Sequence, residues 1–85
     1  MKTCAIFGAS GHGTVVAEIL ELNGYQNITF FDDLWPNLTS VKHWNVSGDS
    51  VSLLKVATLF DVVVVAIGDN LLRTAKQREL VASMF

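Results

Sequence analysis

Cysteine and basic residues are both scarce in this 85-residue sequence, and each shortage excludes a class of protein. A single cysteine, Cys4, rules out a disulfide framework within the chain and favours a reducing compartment such as the cytoplasm. Six lysines and arginines stand against eight acidic residues, and the net charge is -2. Nucleic-acid-binding proteins usually carry a basic patch, so the composition argues against a nucleic-acid partner.

Long apolar runs, targeting signals and metal-ligand patterns are also missing from the sequence. The longest apolar run, VVVVAIG from Val62, is far shorter than the roughly 20 residues that a membrane span needs. The N-terminal apolar stretch is too short for a signal peptide because glycines interrupt it. The two histidines, His12 and His43, lie far apart and lack the spacing of a metal site. We therefore expect neither a membrane span nor a bound metal.

Apolar residues, by contrast, are abundant. They make up 51% of the chain, whereas charged residues make up 16%. A chain of 85 residues allows one domain at most, and small domains bury a small fraction of their surface. So much apolar side-chain area in a short chain indicates that part of it contacts a further domain, a partner subunit or a ligand.

The first third of the chain has the pattern of a strand followed by a helix. Residues 2–7 form a short apolar run typical of a buried strand, and a group of glycines follows it. A helix is predicted next, because apolar residues then recur on one helical face. This face consists of Val15, Val16, Ile19 and Leu20. The helix ends at Asn23 and Gly24, since glycine readily adopts the left-handed conformation there, and we place Tyr25 in the turn.

A second strand is predicted over residues 27–31, which are rich in β-branched and aromatic side chains. Asp32 and Asp33 stand at the carboxyl end of this strand. Pro36 then indicates a loop, because proline disfavours helix in the residue before it. Within residues 41–48 we expect one short edge strand.

The last part of the chain alternates in the same way. A short helix is predicted to begin near Asp49 or Ser50. Residues 61–67 follow as a strand, and the valines on both of its faces indicate burial on both faces, as in a parallel sheet covered by helices. Residues 69–85 are helix-prone.

Strands that alternate with helices predict an α/β fold, a parallel sheet of three to four strands flanked by helices. If the strand over 61–67 lies beside the first strand, opposite the second, the winding of the chain reverses at the first strand. Ligands of such sheets bind at the carboxyl ends of the strands, at this switch point. The glycine turn, the two aspartates and residues 68–70 would meet there.

Three glycines, Gly8, Gly11 and Gly13, form a G-x-x-G-x-G turn between the first strand and the first helix. Glycines let the backbone turn sharply and approach a ligand closely, and the N–H groups at a helix start attract an anion. The spacing differs from the dinucleotide pattern G-x-G-x-x-G. We favour phosphate binding, and the alternative is a tight turn that serves only helix–sheet packing.

Ser10 and His12 lie within this turn. His12 is either a solvent-facing turn residue or a hydrogen-bond donor to a phosphate or sugar oxygen. A general-base role is disfavoured, because only Ser10 is a nucleophile beside it and no carboxylate within the turn would orient the ring. We therefore assign no catalytic residue to this chain.

Acidic and amide side chains follow the other two strands. Asp32 lies 19 residues beyond Gly13, a distance at which an acidic residue of dinucleotide-binding folds binds ribose hydroxyls. A carboxylate there also suits a pyrimidine N–H, or it forms a turn at the strand end. Asn70 either caps the last helix or forms a second lip of the pocket with Gly68 and Asp69.

The segments FGASGHGTVVAEILELNGY, FFDD and DVVVVAIGDNLLR occur in an order and spacing that resemble the N-terminal domain of the NeuD/PglD family of sugar O- and N-acetyltransferases. The resemblance covers essentially the whole chain. Many members of the family have lysine where this chain has Thr14, so the resemblance does not extend to a lysine–phosphate contact.

This resemblance implies a small Rossmann-like domain followed by a left-handed β-helix of hexapeptide repeats. In the family the β-helix binds acetyl-CoA between the subunits of a trimer and supplies a catalytic histidine. No hexapeptide repeat occurs in residues 1–85. The resemblance therefore implies an incomplete fragment of a longer cytoplasmic enzyme, which binds a UDP-type sugar without catalysing. The domain itself needs no cofactor, and acetyl-CoA is the cosubstrate of the whole enzyme.

The resemblance also implies a set of substrate-binding residues. The glycine turn would contact the pyrophosphate, the two aspartates would lie near the uracil or the ribose, and the segment after the last strand would line the pocket. The implied residues are Gly8, Ser10, Gly11, His12, Gly13, Asp32, Asp33, Gly68, Asp69 and Asn70.

Two other functions are compatible with the sequence. An NAD(P)-binding oxidoreductase domain would share the fold, but the glycine spacing differs and no catalytic tyrosine–lysine set is recognisable, since the only tyrosine is Tyr25. A non-catalytic Rossmann-like module that mediates assembly would need no ligand at the glycine turn.

Overall fold

The computed structural model describes residues 2–66, which form a parallel sheet with a helix on each face. The elements in chain order are β1 (Lys2–Phe7), α1 (Gly11–Leu22), β2 (Tyr25–Phe31), β3 (Ser40–Val41), β4 (Trp44–Asn45), α2 (Ser50–Val56), a 3-10 turn (Ala57–Leu59) and β5 (Val62–Val65). No helix within this part of the chain is long and apolar enough to cross a membrane.

The three long strands lie in the order β2-β1-β5, and both neighbours of β1 run parallel to it. This arrangement confirms the predicted α/β fold with a three-stranded Rossmann-like sheet. It also confirms that the last strand lies beside the first, on the side away from the second. The winding of the chain therefore reverses at β1, as such a strand order requires.

Alternate residues of β1 form the two halves of the core. Cys4 and Ile6 are fully buried on the face that α1 covers. Ala5 and Phe7 are buried on the opposite face, where Leu53 of α2 packs against them. The valines of β5 divide between the same two clusters and are half-buried. Because both faces of the sheet are covered, the central strand reads as a continuous apolar run.

The packed face of helix α1 overlaps the predicted face only in part. Val15 and Ile19 are 52% and 53% exposed, so half of the predicted apolar face points to solvent. The small residues Gly13 and Ala17, one turn apart, are buried and let the helix approach the sheet closely. Val16 and Leu20 pack beside them. The prediction was wrong for Val15 and Ile19 because apolar spacing alone does not identify the face on which small residues permit contact.

Strand β2 begins earlier than predicted. Tyr25, which we placed in a turn, is the first residue of β2 and pairs with Lys2 of β1. The ammonium of Lys2 lies 5.5 Å from the centroid of the Tyr25 ring, within the range of a cation–π contact. The turn itself is confined to Asn23 and Gly24, where Gly24 has a φ of 92°.

The segment predicted as one edge strand forms a small antiparallel hairpin, β3–β4. Lys42, with a φ of 52°, and His43 make its two-residue turn. Trp44 packs on Phe30 with the ring centroids 5.7 Å apart, and Val46 then pairs with Phe30 in a parallel bridge. The hairpin is held by this aromatic contact with β2 and by contacts of Lys42 with Glu18 and of His43 with Glu21 on α1, none of which the local sequence pattern reveals.

From Asp49 onward the described chain agrees with expectation. Helix α2 begins at Ser50, and Asp49 is its N-cap residue. The strand predicted over 61–67 is present as β5, Val62–Val65. Residues 68–70 and the helix predicted over 69–85 lie outside the described residues.

Candidate functional site

The carboxyl ends of the three parallel strands lie at one edge of the sheet. Phe7 of β1 pairs with Phe31 of β2 and with Val65 of β5. The glycine turn follows β1 at the middle of this edge, and Asp32 follows β2 beside it. The structure therefore brings together the first two of the three predicted features. The third, residues 68–70, follows β5 but lies outside the described residues.

Each glycine of the turn has its own structural reason. Gly8 has a φ of 113°, a conformation that other residues rarely adopt, and its N–H donates to the Phe31 carbonyl at 2.8 Å. A β-carbon on Gly13 would lie 2.0 Å from the Gly8 carbonyl oxygen, so only glycine fits there. Among the described residues, nothing lies within 4 Å of the corresponding position on Gly11. This part of the chain therefore leaves the surface over Gly11 open to a close approach.

The start of α1 presents backbone donors at this edge. The first helical hydrogen bond runs from the Thr14 N–H to the Ser10 carbonyl, 3.0 Å. The N–H groups of Gly11, His12 and Gly13 precede it and have no partner in the helical ladder. Within the described residues, the Ser10 side chain makes no capping bond and the first turn holds no acidic residue. Such a helix start attracts an anion through its N–H groups and dipole.

His12 is exposed in the first turn of α1. Exposure beside the glycine turn suits both interpretations drawn from the sequence. The other histidine, His43, instead pairs with Glu21 near the far end of α1, at 3.0 Å. The two histidines are therefore not brought together. Among residues 2–66 there is no group of three histidine, cysteine, aspartate or glutamate side chains that could hold a metal ion.

Asp32 is half-buried, and its carboxylate faces the glycine turn. Oδ2 accepts a hydrogen bond from the Ala9 N–H at 2.8 Å, and Oδ1 accepts one from the Leu34 N–H at 2.9 Å. The bond to Leu34 is the turn that aspartate often forms two residues ahead. The bond to Ala9 joins the end of β2 to the turn after β1, and sequence reasoning missed it because a backbone N–H has no sequence signature.

Asp33 turns away from Asp32 toward α2. Its Oδ1 accepts a hydrogen bond from the Ser50 N–H at 3.0 Å. The adjacent Asp49 caps the same helix, where its Oδ1 accepts from the backbone N–H of Ser52 at 3.0 Å and from its hydroxyl at 3.1 Å. These bonds, the backbone one foremost, hold the pKa of the Asp49 carboxyl below its usual value. The neighbouring residues Asp32 and Asp33 thus bind two different elements: Asp32 the glycine turn and Asp33 the start of α2.

Two further residues shape the turn and were not predicted to do so. Thr14 is buried, and its hydroxyl donates to the Gly11 carbonyl at 2.8 Å, which fixes the first turn of α1 from inside. The ring of Phe30 lies beneath Gly13, with Cε1 3.2 Å from the position that a β-carbon there would take. A buried aromatic residue two positions before the acidic pair was the only sequence signal for this role.

A parallel α/β sheet with a glycine turn at its switch point defines a Rossmann-like domain. The particular family follows from comparison of the sequence: the model described as the PglD N-terminal domain matches residues 3–80. The chain belongs to this family, which confirms the resemblance drawn from the three sequence motifs. Comparison with curated protein sequences gives no match.

Solved structures of sugar acetyltransferases share the fold. The acetyltransferase domain of PglB from Neisseria gonorrhoeae FA1090, in complex with acetyl coenzyme A, is 32% identical with a TM-score of 0.81 over 99% of this chain. A single-residue variant of perosamine N-acetyltransferase from Caulobacter crescentus, in complex with CoA and GDP-perosamine, is 30% identical with a TM-score of 0.80 over 100% of this chain. The match covers 40% of each of those chains, so this chain spans about two fifths of their length.

Proposed function

We propose that this domain binds a nucleoside diphosphate sugar at the carboxyl edge of its sheet, with the diphosphate over the start of α1. The observation that carries the proposal is the open surface over Gly11, beside the N–H groups that begin the helix. Anions bind readily at such a helix start. The relative from Caulobacter crescentus, whose structure contains GDP-perosamine, supports a nucleotide sugar as the ligand class.

The side chains of the turn complete the diphosphate site in this proposal. Ser10 and His12 are exposed and carry hydrogen-bond donors at the same end of α1. A hydroxyl and an imidazole N–H add to the backbone donors of Gly11 and Gly13. His12 thereby acts as a ligand contact, and no residue of this domain acts as the catalyst.

In this proposal the nucleoside would lie toward the end of β2 and the sugar toward the end of β5. Asp33 is exposed beside the start of α2, and the base would lie along this side of the edge. Gly68, Asp69 and Asn70 would line the opposite side. The sequence resemblance favours a uridine nucleotide, whereas the Caulobacter crescentus relative is bound to a guanosine one. The titration below therefore compares the two nucleobases.

In the whole enzyme, this domain would position a sugar for acetylation. The sugar amine or hydroxyl attacks the thioester carbonyl of acetyl-CoA while a base takes the proton of the attacking group. The C–S bond then breaks, the base returns that proton to the sulfur, and CoA leaves as the thiol. We propose that the base and the acetyl-CoA site belong to a β-helix domain in a trimeric, cytoplasmic enzyme. Orientation of the sugar by this domain would supply part of the rate.

Calorimetric titration of the chain with a UDP-sugar and a GDP-sugar tests the proposal. We expect one of them to bind, with shifts of the amide signals of Gly11, His12 and Gly13 in NMR spectra. A β-carbon at residue 11 meets nothing within 4 Å among the described residues, so Gly11→Val should fold, cover the anion-binding surface and abolish binding. Leu22→Val introduces the same side chain at the exposed end of α1 and should leave binding unchanged.

The same titration separates the alternatives. Binding of NAD in place of either nucleotide sugar would support an oxidoreductase domain. If no nucleotide binds and Gly11→Val leaves the activity of the longer enzyme intact, the domain serves assembly and the proposal is wrong.

A further inference from the structure

We infer that Asp32 is a positioning residue that fixes the anion-binding turn, and that it is not a ligand of the ribose hydroxyls. The inference rests on the proposed function and refines it, because it separates the residue that shapes the site from those that touch the nucleotide. From the sequence, Asp32 was a candidate ribose ligand because it lies 19 residues beyond Gly13.

The first step is the use of both carboxylate oxygens. Oδ2 accepts from the Ala9 N–H at 2.8 Å and Oδ1 accepts from the Leu34 N–H at 2.9 Å. Both are bonds from a backbone N–H to an ionised acceptor, which are stronger than bonds between neutral groups. The carboxylate is thus engaged by the protein itself on both sides.

The second step is the anchoring of the turn. The Gly8 N–H donates to the Phe31 carbonyl at 2.8 Å, so two successive residues, Gly8 and Ala9, are tied to two successive residues at the end of β2. Asp32 is held in turn by its own N–H, which donates to the Gly48 carbonyl at 2.9 Å. The bond from Ala9 is the only side-chain bond in this set, and it therefore depends on residue type.

The third step is the consequence for the ligand. Because the Ala9 N–H is taken by Asp32, the donors left for a ligand are the N–H groups of Gly11, His12 and Gly13 at the start of α1. The bond also holds these donors in place before a ligand arrives, which reduces the ordering cost of binding. Loss of the bond between Ala9 and Asp32 should therefore lower the affinity for the diphosphate, regardless of which nucleoside is attached to it.

Asp32→Asn tests the inference, because an amide has a single acceptor oxygen and must turn its NH₂ group toward one of the two N–H donors. The probes are UDP and GDP together with their 2′-deoxy forms. We expect Asp32→Asn to raise the Kd of the ribose and deoxyribose forms alike by about tenfold, with their ratio unchanged. The control is Asp61→Asn, since Asp61 Oδ2 accepts from the Thr3 N–H at 2.8 Å at the other edge of the sheet. It should leave both Kd values unchanged.

A spectroscopic measurement separates positioning from general loss of structure. The Ala9 amide proton should move upfield in Asp32→Asn, whereas it should keep its position in Asp61→Asn. In the wild type, the Asp32 side-chain carboxyl carbon should keep its chemical shift when nucleotide saturates the site. This last experiment applies even if Asp32→Asn fails to fold.

Three results would overturn the inference. One is a ratio of ribose to deoxyribose affinity that falls to one in Asp32→Asn, because Asp32 would then be a ribose ligand. Another is unchanged nucleotide affinity in that variant, and the third is a shift of the wild-type Asp32 carboxyl carbon on binding. If the wild type binds none of these nucleotides, the proposed function itself fails, a result distinct from all three.

Discussion

At the residue scale, the two glycines at the start of α1 differ in the room around them, although they lie only two positions apart. A β-carbon on Gly13 would lie 2.0 Å from the Gly8 carbonyl oxygen, whereas one on Gly11 would meet nothing within 4 Å among residues 2–66. The same substitution at the two positions therefore distinguishes a glycine needed for folding from a glycine open to a ligand.

We expect Gly13→Ala to lower the free energy of unfolding by roughly 1–3 kcal/mol, since the added methyl group forces α1 away from the turn. Gly11→Ala should leave stability unchanged or raise it by up to about 1 kcal/mol, because alanine favours helix over glycine. Urea unfolding followed by circular dichroism measures both. Equal destabilisation by the two substitutions would contradict the geometry of the turn.

At the scale of elements, the start of α2 depends on Asp49. Its carboxylate accepts from the Ser52 N–H and hydroxyl, which lowers its pKa. A lowered pKa in the folded state means that the unfolded chain binds more protons in acid, so the cap stabilises at neutral pH and the stabilisation disappears as pH falls through the carboxyl pKa.

Asp49→Ala should therefore lower the melting temperature at pH 7, and the deficit should shrink as pH is lowered below about 4. Asp49→Asn is the matched variant, because asparagine caps helices about as well but does not titrate. It should stay close to the wild type at pH 7 and lose less stability in acid. Thermal melts from pH 7 to pH 3 test this, and a deficit of Asp49→Ala that is independent of pH would refute it.

The elements also show how far sequence reasoning reaches. Strands β1 and β5 and the start of α2 were predictable, because buried strands and N-caps are encoded by neighbouring residues. The packed face of α1 was not, since Val15 and Val16 both fit the helical period and only the sheet decides between them. The hairpin escaped prediction because it packs through contacts between distant segments, such as Trp44 on Phe30.

In the candidate site, too, some features were predictable from the sequence and others were not. The glycine turn was predictable because the residue type itself carries the conformation, as the φ of Gly8 shows. The partner of Asp32 was not predictable, because the Ala9 N–H belongs to the backbone and any residue but proline offers one. Sequence thus indicates which groups gather at the switch point, whereas the direction of each bond requires the structure.

At the scale of the whole molecule, Phe30 links the hairpin to α1 within the half of the core that α1 covers. It is fully buried, contacts Trp44 of the hairpin and lies beneath Gly13 at the start of α1. Phe60, by contrast, is half-buried and meets only the edge of Phe31 among the aromatic rings of the described residues, with the centroids 6.0 Å apart.

We expect Phe30→Ala to cost about 3–5 kcal/mol, as the loss of a buried aromatic side chain does. That is a large part of the stability of a small domain, so the variant should be largely unfolded at 37 °C. Phe60→Ala should remain folded. The amide proton spectrum distinguishes the two, and a well-dispersed spectrum of Phe30→Ala at 37 °C would show that the fold does not depend on the contacts of Phe30 with the hairpin and with α1.

Cys4 reports on the unfolding of the whole domain, because it is fully buried in the central strand and is the only cysteine of the chain. Burial raises the pKa of its thiol from 9.0 to about 11, so the folded state retains a proton that the unfolded chain releases. The contribution of this buried thiol to the free energy of unfolding is complete below pH 9 and declines as pH rises from about 9 to about 11. Cys4→Ala removes the thiol and should show a smaller decline over this range.

In the wild type at pH 8, labelling of Cys4 by a thiol reagent should be slow in buffer and should accelerate with urea in parallel with the loss of circular dichroism. Rapid labelling in buffer would mean that β1 becomes accessible without global unfolding, and the sheet would then lack the cooperativity that its central strand imposes.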